Sequence, residues 1–271
     1  MLFQSLTCHA QSVNMSRIVL KSNDSLHYYP NNKPSNFTVK TINLSTLGPH
    51  LEVALSEIIF PFGFKNVRDG YNQVNIIQVK DEGDTLTIDE ITEMPSLAIN
   101  VEPNFYTPTS LIDEINAKID NSLLKLKLEE INNKGLIQLD KKIRVKFGLD
   151  IAKILGFNFG VWLSFGPEKK ISPNPAGPYQ NISLLSVYCN IVEESLIGEN
   201  HHQLLRLINW PCSKKPGGSN MSILYDRPYF IPVKYADRNS IEIKITDSLN
   251  IPIEFLGDGP LVIILEFRKT D

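Results

Sequence analysis

Apolar residues recur at every second position in several separate stretches of this chain, and that spacing constrains the fold more than any other feature. Leu51, Val53 and Leu55 alternate with Glu52, Ala54 and Ser56, and an apolar continuation reaches Phe60. Leu124, Leu126 and Leu128 alternate with Lys125, Lys127 and Glu129; Ile143, Val145 and Phe147 with Arg144 and Lys146; Ile241, Ile243 and Ile245 with Glu242, Lys244 and Thr246. Successive side chains of a strand point to opposite faces, so each stretch predicts a strand with one oily face and one wet one. Ile182–Val192 and Leu261–Phe267 are apolar on both faces and predict central strands covered on both sides. The fold class expected is mainly β, an antiparallel sandwich.

Turn chemistry separates the strands. Asp81-Glu82-Gly83-Asp84 and Asn132-Asn133-Lys134-Gly135 predict hairpin turns. Pro30–Pro34, Gly166–Pro178 and Gly257–Pro260 predict loops, the second holding four prolines. Two helices interrupt the pattern. Thr107-Pro108 offers an N-cap followed by proline at the first helical position, and Leu111, Ile112, Ile115 and Ile119 follow at helical spacing. Leu149–Leu155 predicts a short second helix, with Gly156 as its C-terminal cap. The expected layout is a tail at 1–14 and one sandwich over 15–271, with a helix-bearing α+β insertion at about 103–158.

Composition narrows the function. The 271 residues are 42% hydrophobic and 21% charged, enough to bury a core without staples and too apolar for disorder. The net charge of −3 and the small basic clusters (Lys141 to Lys146, Lys169–Lys170, Lys214–Lys215) do not make a nucleic-acid arm. No direct sequence-specific nucleic-acid binding is therefore expected. Cys8, Cys189 and Cys212 are odd in number and widely spaced, which argues against a disulfide framework. The first ten residues lack the pattern of a signal peptide, and no apolar run approaches the roughly 18 residues that span a bilayer. No membrane partner is expected on that ground.

Catalytic signatures are missing. The phosphate-binding loop, the dinucleotide glycine pattern and the Gly-x-Ser-x-Gly elbow do not occur. Cys189, His201, His202 and Cys212 share a short window, but zinc ligands usually come in tight pairs, and Cys189 sits on a face with Leu185, Val187 and Ile191. Asp81, Glu82, Asp84, Asp89 and Glu90 do not follow calcium-loop spacing, and Glu193–Glu194 point to opposite faces of a strand. No catalytic residue, cofactor or metal is expected. The aromatic residues Phe159, Trp162, Phe165 and Trp210 border long loops; they either cap the open ends of the sandwich or form a subunit interface, since Trp and Phe are enriched at interface cores.

Three blocks occur in a fixed order. The first holds Leu20–Ser25, Tyr28–Asn32, Ser35–Lys40 and Leu51–Ile58. The second is Val187–Glu193 with Ile197-Gly198 and Leu204–Arg206. The third is Tyr229–Pro232, Ile241–Asp247, Pro252–Phe255 and Val262–Phe267. Together they resemble the minor capsid, or penton, proteins of Maverick/Polinton transposons, adintovirus-like elements and virophages, from about Leu20 to Arg268. Phe159–Pro178 and Trp210–Asn220 match no part of that pattern. The resemblance implies a single jelly roll and a homopentamer at the five-fold vertices of an icosahedral virion. It also implies a double jelly-roll major capsid protein as partner, assembly in the host nucleus or cytoplasm, and no enzymatic role. Two alternatives share the β fold: a domesticated transposon-derived binding module, and a carbohydrate-binding sandwich.

Overall fold

A computed structural model describes residues 16–41, 44–61, 63–78, 96–119, 124–129, 132–139, 143–164, 170–210, 220–234, 239–257 and 259–270. The expected tail at 1–14, the turn at 81–84 with its acidic cluster, Lys141, Lys142, Lys169, Lys214, Lys215, Cys8 and Cys212 lie outside these residues.

Two sheets face each other around the larger core. The first contains β1 (Ser16–Lys21), β3 (Leu51–Phe60), β15 (Met221–Leu224), β16 (Ile231–Pro232) and β18 (Val262–Lys269), in the order β1-β18-β3-β15, with β16 also on β3. The second contains β2 (Asn36–Lys40), β11 (Leu184–Cys189), β14 (Leu204–Asn209) and β17 (Ser240–Thr246), in the order β14-β11-β17-β2. All pairings in both sheets are antiparallel. Taking β15 and β16 as one broken strand, the two sheets contain eight strands. Numbered one to eight along the chain, they give one sheet ordered 1-8-3-6 and another ordered 2-7-4-5. That is the jelly-roll arrangement of two wrapped Greek keys. β11 lies between β14 and β17, and β18 between β1 and β3, but β17 and β3 are equally central, and the expected cover on both faces is corrected: Val262 and Ile264 of β18 and Tyr188 of β11 are only half-buried on the outer faces.

Alternation explains the burial except in β3, where Ala54 and Ser56 are buried as well and a register shift opposite Ile264 and Leu265 changes the phase between Leu55 and Ile58. Val53, Leu55, Ile58, Phe60, Ile241, Ile243, Ile245, Ile263, Leu265 and Phe267 are buried between the sheets, while Glu52, Glu57, Glu242, Lys244 and Glu266 face away. Cys189 is buried in the same core with Leu185, Val187 and Ile191, where a thiol packs as a small hydrophobe.

The chain leaves the sandwich after Phe60 and re-enters at Leu184. Between these points lie β4 (Gln73–Gln78), β5 (Ser96–Asn100), α1 (Pro108–Lys118), β6 (Leu124–Glu129), β7 (Lys134–Leu139), β8 (Ile143–Phe147), α2 (Leu149–Leu155), β9 (Leu163–Ser164) and β10 (Lys170–Pro175). They form two small sheets, β5-β4-β8-β9 and β10-β7-β6, around a separate core with both helices. This second core recruits Val67, Val74, Ile76 and Val101 ahead of α1. The insertion is therefore wider than the 103–158 expected, because β4 joins β8 across a long stretch of sequence. Alternation marks a strand but not the sheet that it joins.

The helix signals behave as written. Thr107 Oγ1 accepts from the backbone N–H of Ser110, and Ser110 Oγ accepts from the N–H of Thr107, a reciprocal cap. Gly156 closes α2 in the left-handed conformation, with φ of 80°. The loop expected at Gly166–Pro178 is corrected: Lys170–Pro175 is β10, paired with β7. Its prolines are tolerated because β10 is an edge strand with a register break between Ile171 and Pro175.

Register also orients the molecule. Ser16 pairs with Phe267 and Leu51 with Lys269, whereas Lys21 and Ile59 both pair with Val262. The start of β1 and the end of β18 thus lie at one end of the sandwich. The insertion, entered after Phe60, leaves from the other.

Candidate functional site

Three features could serve assembly: the joint between the two cores, the outer face of the first sheet, and an aromatic loop on the insertion.

The joint is built on Arg68, which is 1% exposed. Its backbone N–H and Nε donate to Asp150 Oδ2 at 3.0 and 2.9 Å, and Nη2 donates to Asp150 Oδ1 at 2.7 Å. Nη1 donates to Asp247 Oδ2 at 2.7 Å. Asp150 stands in the first turn of α2 and also accepts from Asn181 Nδ2 at 2.9 Å. Asp247 follows β17, and its Oδ1 accepts from the N–H groups of Leu249 and Ile251. Arg68 therefore ties the insertion's second helix to a loop of the sandwich. Burial alone would lower the guanidinium pKa; the hydrogen bonds and charges of Asp150 and Asp247 outweigh it and push it upward, so the group stays charged. One cation and two carboxylates leave a net negative charge, dispersed over backbone and amide donors.

Around this joint the contacts are aromatic and amide-mediated. Phe64 meets Phe105 edge-on at 5.7 Å and Trp210 edge-on at 4.8 Å between ring centroids, and Trp210 stacks on Phe60 at 5.1 Å. Asn66 Nδ2 donates to the carbonyls of Tyr106 and Pro178. Lys65 pairs with Glu254 across the same seam.

The outer face of the first sheet carries two adjacent cross-strand rows. One is Val19–Ile264–Glu57–Leu224 and the other Lys21–Val262–Ile59–Ser222. Val19 and Leu224 are exposed, and Ile59, Val262 and Ile264 are half-buried. The ion pairs Arg17–Glu266 and Arg268–Glu52 flank this apolar band. Glu57 lies within the band, where it accepts from Ser222 Oγ, and Lys21 ends one row, so the band is a mixed apolar and polar surface of the kind that interfaces use. The outer face of the second sheet is more mixed: Leu204, Tyr188, Lys244 and Asn36 form one row, Glu242 and Thr38 lie in the next, and Leu207 is exposed at the β14 edge.

The four aromatic candidates separate. Phe159 is 57% exposed and Trp162 half-buried, and both lie on the loop between α2 and β9. Phe165 falls outside the described residues. For Trp210 the interface reading is corrected and the packing reading fits: at 5% exposed it belongs to the sandwich core and offers little surface to a neighbour. His201 and His202 lie on the β12–β13 hairpin (Ser195–Ile197, Asn200–His202), exposed and half-buried respectively. Among the described residues no group of three or more His, Cys, Asp or Glu could hold a metal ion. Sequence reading missed Arg68, Asp150 and Asp247. Asp150 reads as a helix N-terminal carboxylate and Asp247 as a turn residue, and each does that work as well.

The fold and its surfaces define a jelly-roll protein with a large insertion between its third and fourth sandwich strands. No protein-family profile matches the chain, and no curated protein matches it significantly. Among solved structures it is similar to the selenomethionine-labelled mavirus penton protein, with a TM-score of 0.49 and 12% identity, covering 96% of this chain and 100% of that one.

Proposed function

We propose that this chain is a structural capsid subunit, a penton that assembles five-fold and fills the vertices of an icosahedral shell. We read it as one jelly-roll unit carrying the insertion. The observation that carries the proposal is the apolar band of Val19, Ile59, Val262, Ile264 and Leu224 on the outer face of a complete jelly roll. Water normally faces that side of a sandwich. A band on one side of the molecule that meets a different surface of the next copy makes a heterologous contact, which closes into a ring when the rotation between copies is a fifth of a turn. The ordered blocks of sequence that resemble Maverick/Polinton and virophage pentons support the same reading. In this role the protein is not an enzyme. Its partners are further copies of itself and a double jelly-roll major capsid protein, and its destination is the virion.

Native mass spectrometry of the purified protein, with and without that capsid partner, tests the proposal. The expected species is a pentamer, alone or within particles. A strict monomer that never enters particles overturns it.

A further inference from the structure

The loop between α2 and β9 differs from the rest of the surface. From Gly156 through β9 to Ser164 there is no charged residue, and the loop carries Phe157, Phe159, Val161 and Trp162. Phe157 turns inward to the second core, while Phe159 and Val161 stand 57% and 47% exposed. The cations beside the loop come from neighbouring strands. Lys146 Nζ lies 4.9 Å over the Trp162 ring, Arg144 pairs in register with Ser164, and Lys170 Nζ donates to Ser164 Oγ at 3.2 Å. Across β4 the same rows continue with Asn75 and Ile77, so no carboxylate shares them among the described residues. A chain of net charge −3 thus places three cations around its exposed aromatic loop.

We propose that this loop is a peripheral contact site for anionic lipid bilayers. The exposed Phe159 and Val161 gain from burial at the boundary of headgroup and acyl chain, where the half-buried indole of Trp162 keeps its N–H in a polar layer. Lys and Arg beside them meet anionic headgroups and keep their own stems against apolar surface. An aromatic platform for single-stranded nucleic acid fits less well: Phe159 and Val161 lie on a loop rather than across an open sheet face, and one face of Trp162 is already occupied by Lys146. The contact needs no spanning segment, and among the described residues no helix is long and apolar enough to cross a membrane. It revises the expectation of no membrane partner, which rested on spanning length alone.

The test uses the full chain with vesicles of phosphatidylcholine alone and of phosphatidylcholine with phosphatidylserine. Sedimentation with the anionic vesicles is expected, weakened by high salt, and reduced roughly fivefold by Lys146→Gln. The chain has two tryptophans, and Trp210 is buried, so a blue shift of emission reports Trp162. Phe159→Asp removes both signals, and the milder Val161→Ser weakens them. Equal binding to both vesicle types, or binding unchanged in Phe159→Asp, overturns the proposal. Affinity for a single-stranded oligonucleotide without any vesicle response does so too. A pentamer that ignores vesicles overturns this inference and leaves the capsid reading standing; a vesicle-binding monomer does the reverse.

Discussion

Arg68 holds Asp150 through a two-pronged pair, Nε to Oδ2 at 2.9 Å and Nη2 to Oδ1 at 2.7 Å, while its remaining nitrogen reaches Asp247 in the sandwich. It adds to the Phe64 ring contacts, the Lys65–Glu254 pair and the backbone bonds between Gly63–Lys65 and Glu254–Leu256 that hold the same joint. A fork of fixed geometry held on two sides restricts the insertion in direction as well as distance. Removing Arg68 leaves two buried carboxylates without their cation. Arg68→Met is expected to cost about 3–5 kcal/mol in denaturant unfolding. The triple change Arg68→Met, Asp150→Leu, Asp247→Leu removes the stranded charges, but it also strips the donors Asn181, Leu249 and Ile251 of their acceptor. Recovery is therefore expected to be partial.

Trp210 and Phe159 offer a clean contrast, because one is core and the other surface. Trp210→Ala empties a site between Phe60 and Phe64 and is expected to cost about 3–5 kcal/mol. Phe159→Ser is expected to change stability by no more than about 0.5 kcal/mol. Thermal and urea unfolding of the two variants checks the assignment.

Gly156 and Gly160 share a φ of 80° but differ in their surroundings. A Cβ on Gly156 would lie 2.1 Å from the Asn174 carbonyl oxygen, whereas a Cβ on Gly160 meets nothing within 4 Å. Gly160→Ala is expected to cost about 1–2 kcal/mol from backbone conformation alone. Gly156→Ala is expected to cost more, because β10 has to move away from α2. The difference between the two, measured by unfolding, isolates the steric part.

Leu224 lies at the edge of the apolar band and is 65% exposed. Leu224→Asp places a carboxylate directly across from Glu57. It is expected to leave the fold within about 1 kcal/mol of the wild type. It is also expected to prevent higher assembly, read by native mass spectrometry or sedimentation velocity. Full assembly by this variant would move the interface elsewhere.

Much of this molecule could be read before its fold was known, and the reason is locality. Alternation at Leu51–Leu55, Leu124–Leu128, Ile143–Phe147 and Ile241–Ile245 reports a strand's two faces from its own residues. Thr107-Pro108 and Gly156 mark helix ends through bonds that close within a single turn. The membership of β4 in the insertion, the strand hidden at Lys170–Pro175 and the burial of Trp210 were not legible, since each depends on partners far along the chain. The Arg68 joint is the extreme case: its acceptors lie 82 and 179 residues away, and a buried arginine looks like any other until both carboxylates converge on it. Period and capping were set by the sequence itself. Which strands share a sheet, which ring faces water and which charge is buried were decided by the tertiary structure, because burial and pairing belong to the packed chain and not to any one segment.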